Sequence, residues 1–354
     1  MSKMSNFASK KRSMGNKPKA LRLSALVITA SMLLLLSCTG NSGKNSNDNE
    51  YRKCGGMVWN TVYNITYRGD ASLADSIMPV LNGVGHSVSA FDSTSVISRI
   101  NRNESDLTDS VTRRIYLASC RVNKSSGGKF DPTVGPLVTA WGFGKRHTPT
   151  ADTLHIDEML KYVGITKSRL SGDRLIKGDP RMQFNFSAIA KGYGCDAVAE
   201  MFERNGVSDY LIEIGGEIRS SGSSPRGTAW AVSIDAPVES NGMAVHESQC
   251  IINIRNMGIA TSGNYRNFHA EGGSKYGHTI DPVTGRPATT DVASATVASS
   301  YTMYADAYAT AVMAMGSEAA KDMANRLNLA LYMVTTDGKV WVSPHFRHLM
   351  AQRD

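Results

Sequence analysis

Apolar side chains recur at helical spacing through the middle of the chain, where Ile189, Tyr193, Ala197, Met201 and Phe202 fall on one helix face. Asn205-Gly206 stops that helix, because glycine takes the left-handed cap conformation without a Cβ penalty. The same period predicts helices over 73–88, with Ile77, Leu81, Val84 and Val88 inward, and over 111–124. It returns in an alanine-rich helix over 301–315, stopped by Gly316, and again over 318–327. Two-residue alternation marks strands: 59–67, the run Met182, Phe184 and Phe186, and 211–219 folded as a hairpin near Gly215-Gly216. Further strands are predicted at 229–234, 250–254, 330–335 and 340–342, with no repeat of fixed period. These elements predict an α+β unit of antiparallel sheets with flanking helices.

Composition refines this picture. A chain of 354 residues, 41% hydrophobic and 20% charged, buries a large core as one or two domains. Its formal charge of +8 is concentrated at the front: residues 1–37 carry seven Lys and Arg and no acid, so the remainder is near +1. A near-neutral remainder argues against nucleic-acid binding through a broad basic surface. Within that front, an apolar run over 23–36 suits a signal-peptide core and falls short of the ~20 residues needed to span a bilayer. It ends Leu35-Leu36-Ser37-Cys38, which resembles a bacterial lipobox whose cysteine takes the lipid. The expected organisation is a lipoprotein signal over 1–37, lipidated Cys38 with a polar tether over 38–52, and a folded domain over 53–354. Cys54, Cys120, Cys195 and Cys250 lie too far apart for a zinc motif; an oxidising compartment would permit disulfides, whose pairing the sequence leaves open.

Candidate chemistry gathers at a few places. Ser187-Ala188-Ile189-Ala190-Lys191-Gly192-Tyr193-Gly194 opens the central helix with small residues, a lysine and two glycines. Such a start lets a phosphate-bearing ligand approach the backbone, and equally lets another element pack closely. Asp306 and Thr310, spaced i, i+4, face the same way and are hard oxygen ligands suited to magnesium. The same pair serves a structural purpose if Asp306 favours the helix dipole and Thr310 bonds back to a carbonyl one turn earlier. Asp131-Pro132 fits a helix N-cap with proline at the first helical position, and Trp141-Gly142-Phe143-Gly144 offers aromatics and glycines for a planar ring. His278, between a glycine and the Thr279-Ile280-Asp281-Pro282 turn, is a candidate general base, although a lone histidine is more often structural.

Six ordered segments resemble the ApbE-type flavin transferase family. They are Asp131-Pro132-Thr133-Val134-Gly135-Pro136-Leu137-Val138, Asn185 through Tyr193, Ile214-Gly215-Gly216-Glu217, Ala260 through Tyr265, His278 through Gly285, and Ala305 through Thr310. The resemblance runs from Trp59 to the C-terminus and implies a T-fold-like domain with the flavin nucleotide in a cleft between two subregions. It implies transfer of FMN from FAD to an acceptor threonine, with AMP released. It puts Mg2+ on Asp306, Thr310 and the Ala188 carbonyl, where the cation neutralises pyrophosphate charge. Lys191 and Asn185 are implied dinucleotide contacts; Lys129, Phe130 and Asp131 lie along the flavin or adenine, with Ile280 beside it. His278 is the implied base. The family's usual aspartate is Asn185 here, and its Met-Gly-Thr at the first strand reads Trp59-Asn60-Thr61. The implied partners are FAD, an exported acceptor such as a membrane redox-complex subunit, and the membrane through the lipid, on the periplasmic side. The same metal and nucleotide would also serve an FAD pyrophosphatase or a non-catalytic FAD-binding lipoprotein.

Overall fold

The chain enters its sheet as a hairpin, β1 (Tyr51–Val58) and β2 (Thr61–Arg68), followed by α1 (Ala74–Val88), the short α2 (Val96–Asn101) and α3 (Ser110–Ser125). Next come α4 (Gly135–Ala140), α5 (Ile156–Leu160) and a small hairpin of β3 (Ser168–Ser171) and β4 (Arg174–Lys177). These lead into the 18-residue α6 (Ser187–Arg204) and a second hairpin, β5 (Tyr210–Ile214) and β6 (Glu217–Ser221). After them run β7 (Trp230–Asp235), β8 (Val238–Ser240), β9 (Met243–Val245), β10 (Ser248–Ile254), β11 (Met257–Gly263), β12 (Phe268–Glu271) and β13 (Ser274–Gly277). The end of the chain supplies β14 (Val292–Ser299), α7 (Thr302–Met315), α8 (Ser317–Leu327), β15 (Ala330–Thr335), β16 (Val340–Val342) and α9 (Pro344–Arg347). This computed structural model describes main chain and side chains over 49–143, 155–235, 248–263 and 279–351; over 238–240, 243–245, 268–271 and 274–277 it describes main chain alone.

Eight strands form one sheet in the order β1-β2-β5-β6-β11-β14-β15-β16. Every neighbouring pair is antiparallel. Alternation sorts their side chains between two layers. Ile65, Tyr67, Tyr210, Ile212 and Ile214 pack under α1 and α6, and Ala260, Ala295, Val297, Leu331 and Met333 pack under α7 and α8. Residues one step out of phase, Ile259, Ala298, Tyr332 and Val334, face the β7–β10 pair and Phe346 of α9. Beyond the helices, Met303, Ala307 and Ala311 of α7 with Ile189 and Tyr193 of α6 meet Ile97, Ile115, Phe184 and Phe186. Helix α7 is therefore covered on two faces, which accounts for its alanines: small side chains let both neighbours come close. Residues 47–354 make a single compact unit.

Several expectations shift. Strand β1 begins at Tyr51, inside the stretch expected as tether and before the expected boundary at 53, because Tyr51 and Arg52 already pair with Arg68 and Tyr67. Trp59 and Asn60 form the turn of that hairpin rather than strand, both with positive φ (49° and 60°). Met182, Phe184 and Phe186 are buried but lie outside any named strand; Gln183 makes only an isolated parallel bridge to Val134. Asp131 does not cap a helix: α4 starts at Gly135 with Pro136 in its first turn, and the Asp131 carboxylate closes a local turn on Thr133. No disulfide joins Cys54, Cys120, Cys195 and Cys250, and Cys195 is fully buried in α6. Among the described residues, no helix is long and apolar enough to cross a membrane.

Candidate active site

The first turns of α6 meet the first half of α7 with almost no space between them. A Cβ on Gly192 would lie 2.5 Å from the Thr302 carbonyl oxygen, and one on Gly258 of β11 would lie 2.5 Å from the Thr302 nitrogen. Both positions must be glycine for the start of α7 to sit where it does. That approach lets the Gly192 N–H, whose ordinary helical acceptor is the Ala188 carbonyl, donate to Asp306 Oδ2 at 3.0 Å. Asp306 is 3% exposed, and this is its one protein hydrogen bond among the described residues. One turn along α7, the Thr310 hydroxyl lies 3.5 Å from Ser262 Oγ of β11. Ala188, Lys191, Asp306 and Thr310 therefore belong to one place.

Two acids absent from the list of candidate ligands complete this neighbourhood. Glu217, the first residue of β6, is 4% exposed, and its Oε1 lies 3.2 Å from the Lys191 ammonium. Its Oε2 is buried with no hydrogen-bond partner among the described residues. Burial raises the Glu217 carboxyl above its ordinary range, Lys191 pulls it back, and the Asp306 carboxylate adds to the rise. Lys191 moves the other way from what burial alone would do: Asp306 and Glu217 outweigh desolvation and keep the ammonium charged well above its usual range. Asp196 of α6, 1% exposed, accepts from the Thr302 and Met303 amides, each at 2.9 Å, and so caps α7 from a neighbouring helix. The helix-dipole role expected of Asp306 thus falls to Asp196. The Gly-Gly-Glu segment signalled a turn, and nothing local signals that Asp196 is buried.

The remaining candidates form an adjoining group. Asn185 Oδ1 accepts from the Ser187 N–H at 3.0 Å, at the start of α6, while the Asn185 amide donates to the Pro132 carbonyl at 2.7 Å. Asp131 is saturated by the protein: Oδ1 accepts from the Thr133 amide and hydroxyl, and Oδ2 from Asn123 Nδ2 and the Ile165 amide. Phe130 is buried among the core aromatics and Ile280 among Leu137, Ala140, Ile156 and Val163. Lys129 Nζ lies 3.0 Å from both carboxylate oxygens of Asp281, which ties the 129–131 segment to the loop carrying Ile280. Trp141 Nε1 donates to the Gly285 carbonyl of that loop at 2.8 Å. The Ser125 and Tyr308 hydroxyls, 2.9 Å apart, join the end of α3 to α7. His278 and Cys38 lie outside the described residues. Among the described residues, no three His, Cys, Asp or Glu side chains cluster as metal ligands; Asp306, Thr310 and a main-chain oxygen are a donor set of a different kind.

The fold as a whole, an antiparallel sheet under a glycine-jointed helix pair, is similar to that of solved flavin transferases. The ApbE family model matches residues 59–333, and the chain belongs to the ApbE family. It is 35% identical over 343 residues to the FAD:protein FMN transferase of Vibrio cholerae, covering 92% of this chain and 99% of that one. To the FAD:protein FMN transferase of Escherichia coli it is 32% identical, over 83% of this chain and 87% of the other. Among solved structures, the flavin transferase ApbE of Vibrio cholerae superposes with a TM-score of 0.75 at 33% identity, over 85% of this chain and 99% of that chain. The apo flavinyl transferase ApbE of Pseudomonas stutzeri does so with 0.77 at 28%, over 86% and 98%.

Proposed function

We propose that this chain is a transferase that moves FMN from FAD onto a threonine hydroxyl of an exported acceptor protein. The acceptor oxygen forms a bond to the FMN phosphorus, the bond to the AMP oxygen breaks, and the hydroxyl proton passes to a base, for which His278 is the choice. What carries the reading is the Gly192–Asp306 hydrogen bond, which joins the opening of α6 to the acid face of α7. Relatives named FAD:protein FMN transferase over most of the chain support the activity.

A divalent cation fits the residues present. Asp306 keeps one oxygen without a protein partner among the described residues, Thr310 adds a hydroxyl and Ala188 a carbonyl, all hard oxygen donors. The Glu217 oxygen that is buried without a partner among the described residues lies close by, and a cation there would favour the charged form of that acid. Mg2+ at Asp306, Thr310 and Ala188 would neutralise charge on the pyrophosphate. In this reading Lys191, held cationic by its two acids, meets the same phosphates, and Asn185 meets the dinucleotide near the start of α6. Lys129, Phe130, Asp131 and Ile280 shape the adjoining wall; for the buried Phe130 and saturated Asp131, the contact falls to backbone or ring edge. The lipobox supports export and attachment through Cys38 to the envelope membrane, with the domain on the periplasmic side.

The test is incubation of the protein with FAD, Mg2+ and a candidate acceptor domain. Flavin fluorescence that survives denaturation on the acceptor, with one AMP released per flavin, is the expected outcome. Free FMN and AMP alone would identify a pyrophosphatase, and FAD binding without AMP release a non-catalytic flavin-binding protein.

A further inference from the structure

Glu217 is unusual among the acids of this fold. Asp131 and Asp196 are buried too but have their oxygens taken up by main-chain amides, the Thr133 hydroxyl and the Asn123 side-chain amide. Glu217 spends Oε1 on Lys191 and leaves Oε2 buried with nothing to accept from among the described residues. Buried polar atoms are nearly always satisfied, and a carboxylate oxygen is the costliest to leave bare. Its surroundings indicate what is missing: Lys191 is three residues beyond Ala188, and Asp306 acts electrostatically on both Lys191 and Glu217. A small ion such as Mg2+ gives up water reluctantly and keeps several waters around itself. An acceptor beside the ligands, not among them, is what such waters require.

We propose that Glu217 is a positioning residue of the cation site, holding the Lys191 ammonium through Oε1 and accepting through Oε2 from the hydration shell of a divalent cation gripped by Asp306. This rests on the metal site of the proposed function. It adds that affinity for the cation depends on an acid that does not touch it, and that the acid couples the cation to the lysine that meets the phosphates. One carboxylate serves two cations, so losing its charge weakens both grips without removing a ligand.

The test uses the purified full-length protein and Mn2+ as an electron-paramagnetic probe, without FAD. The unsubstituted protein should bind Mn2+, and Asp306→Ala should abolish binding. Glu217→Gln, which keeps shape and an acceptor for Lys191, should bind Mn2+ about 10–100-fold more weakly, the range for outer-shell partners of a metal. Its Mg2+ half-saturation in turnover should rise by the same factor, with kcat at saturating Mg2+ within about threefold. Glu217→Asp, which keeps the charge but withdraws it by one methylene, should fall between the two. Mn2+ affinity of Glu217→Gln within twofold of the unsubstituted protein would overturn the proposal, as would a kcat loss with unchanged metal affinity. Were the glutamine variant to misfold, unaltered Mn2+ affinity in Glu217→Asp would overturn it equally. Failure of the unsubstituted protein to bind Mn2+ would remove the metal site itself and this inference with it, a result distinct from loss in Glu217→Gln alone.

Discussion

The contact between α6 and α7 contains two aspartates that do opposite things. Asp196 reaches from α6 to the end of α7, where its two oxygens take the Thr302 and Met303 amides. Asp306 reaches back from the middle of α7 to α6, where Oδ2 takes the Gly192 amide and Oδ1 takes nothing from the described protein. Both are at least 97% buried, so burial does not separate them. Saturation does. An acid whose lone pairs are used by its own fold is a fastener; one left half-used inside the protein is held ready for something else. By that measure Asp131 belongs with Asp196, and Glu217 with Asp306.

The largest expected effect is on the half-used side. Asp306→Ala should lower AMP release by about 1,000-fold or more, because a lost Lewis acid removes several kcal/mol of transition-state stabilisation. Its urea midpoint should move little; retained turnover would erase the distinction. Asp196→Ala should do the reverse, costing about 2–4 kcal/mol in urea unfolding as two buried amides lose their acceptor, with kcat per folded molecule within about threefold. The same acid gives a signature in pH. Burial pushes its carboxyl from 3.8 up to about 6, against the pull of the two amides and Arg219. The folded chain therefore keeps a proton that the unfolded chain has lost. Stability from this group is full below about pH 4 and falls as the pH rises through about 6. The urea midpoint should show that fall, and Asp196→Asn should flatten it. Gly192→Ala strikes both aspartates at once, since its Cβ meets the Thr302 carbonyl at 2.5 Å; a loss of about 1–3 kcal/mol is expected, with reduced turnover. The smallest effect belongs to Asn185→Asp. It keeps the acceptor for the Ser187 amide and adds charge at the start of α6, worth about 0.3–1 kcal/mol by melting temperature.

What could be read in the chain beforehand followed from local physics. The major helices declared themselves because apolar residues recur every three or four positions and their ends carry stop signals, as with Asn205-Gly206 after α6 and Gly316 after α7. Strand β14 did not, although it lies inside the sheet. Val292-Ala293-Ser294-Ala295-Thr296-Val297-Ala298-Ser299 is buried on both faces, so small residues replace the alternation that marks a half-exposed strand. Strand β1 was hidden by the opposite condition: half exposed, with Gly55-Gly56 and the cations Arg52 and Lys53, it shows no strand pattern, and its first two residues read as tether. Met182, Phe184 and Phe186 alternate as a strand would, yet their partners are helices and loops. At the site, Asp306 and Thr310 were legible from spacing within one helix. Asp196 meets amides of Thr302 and Met303 on a helix far along the chain, and Glu217 meets Lys191 on a different element, and no local window contains both partners of either contact.

The crossing at Gly192 is main chain against main chain, and that has a thermodynamic consequence for ligand capture. At its closest point Gly192 has no side chain and meets the Thr302 main chain, so the spacing between the Ala188 turn and the start of α7 was settled when the chain folded. A nucleotide arriving there need not surrender part of its affinity to freezing the receptor, and more of its contact energy remains for catalysis.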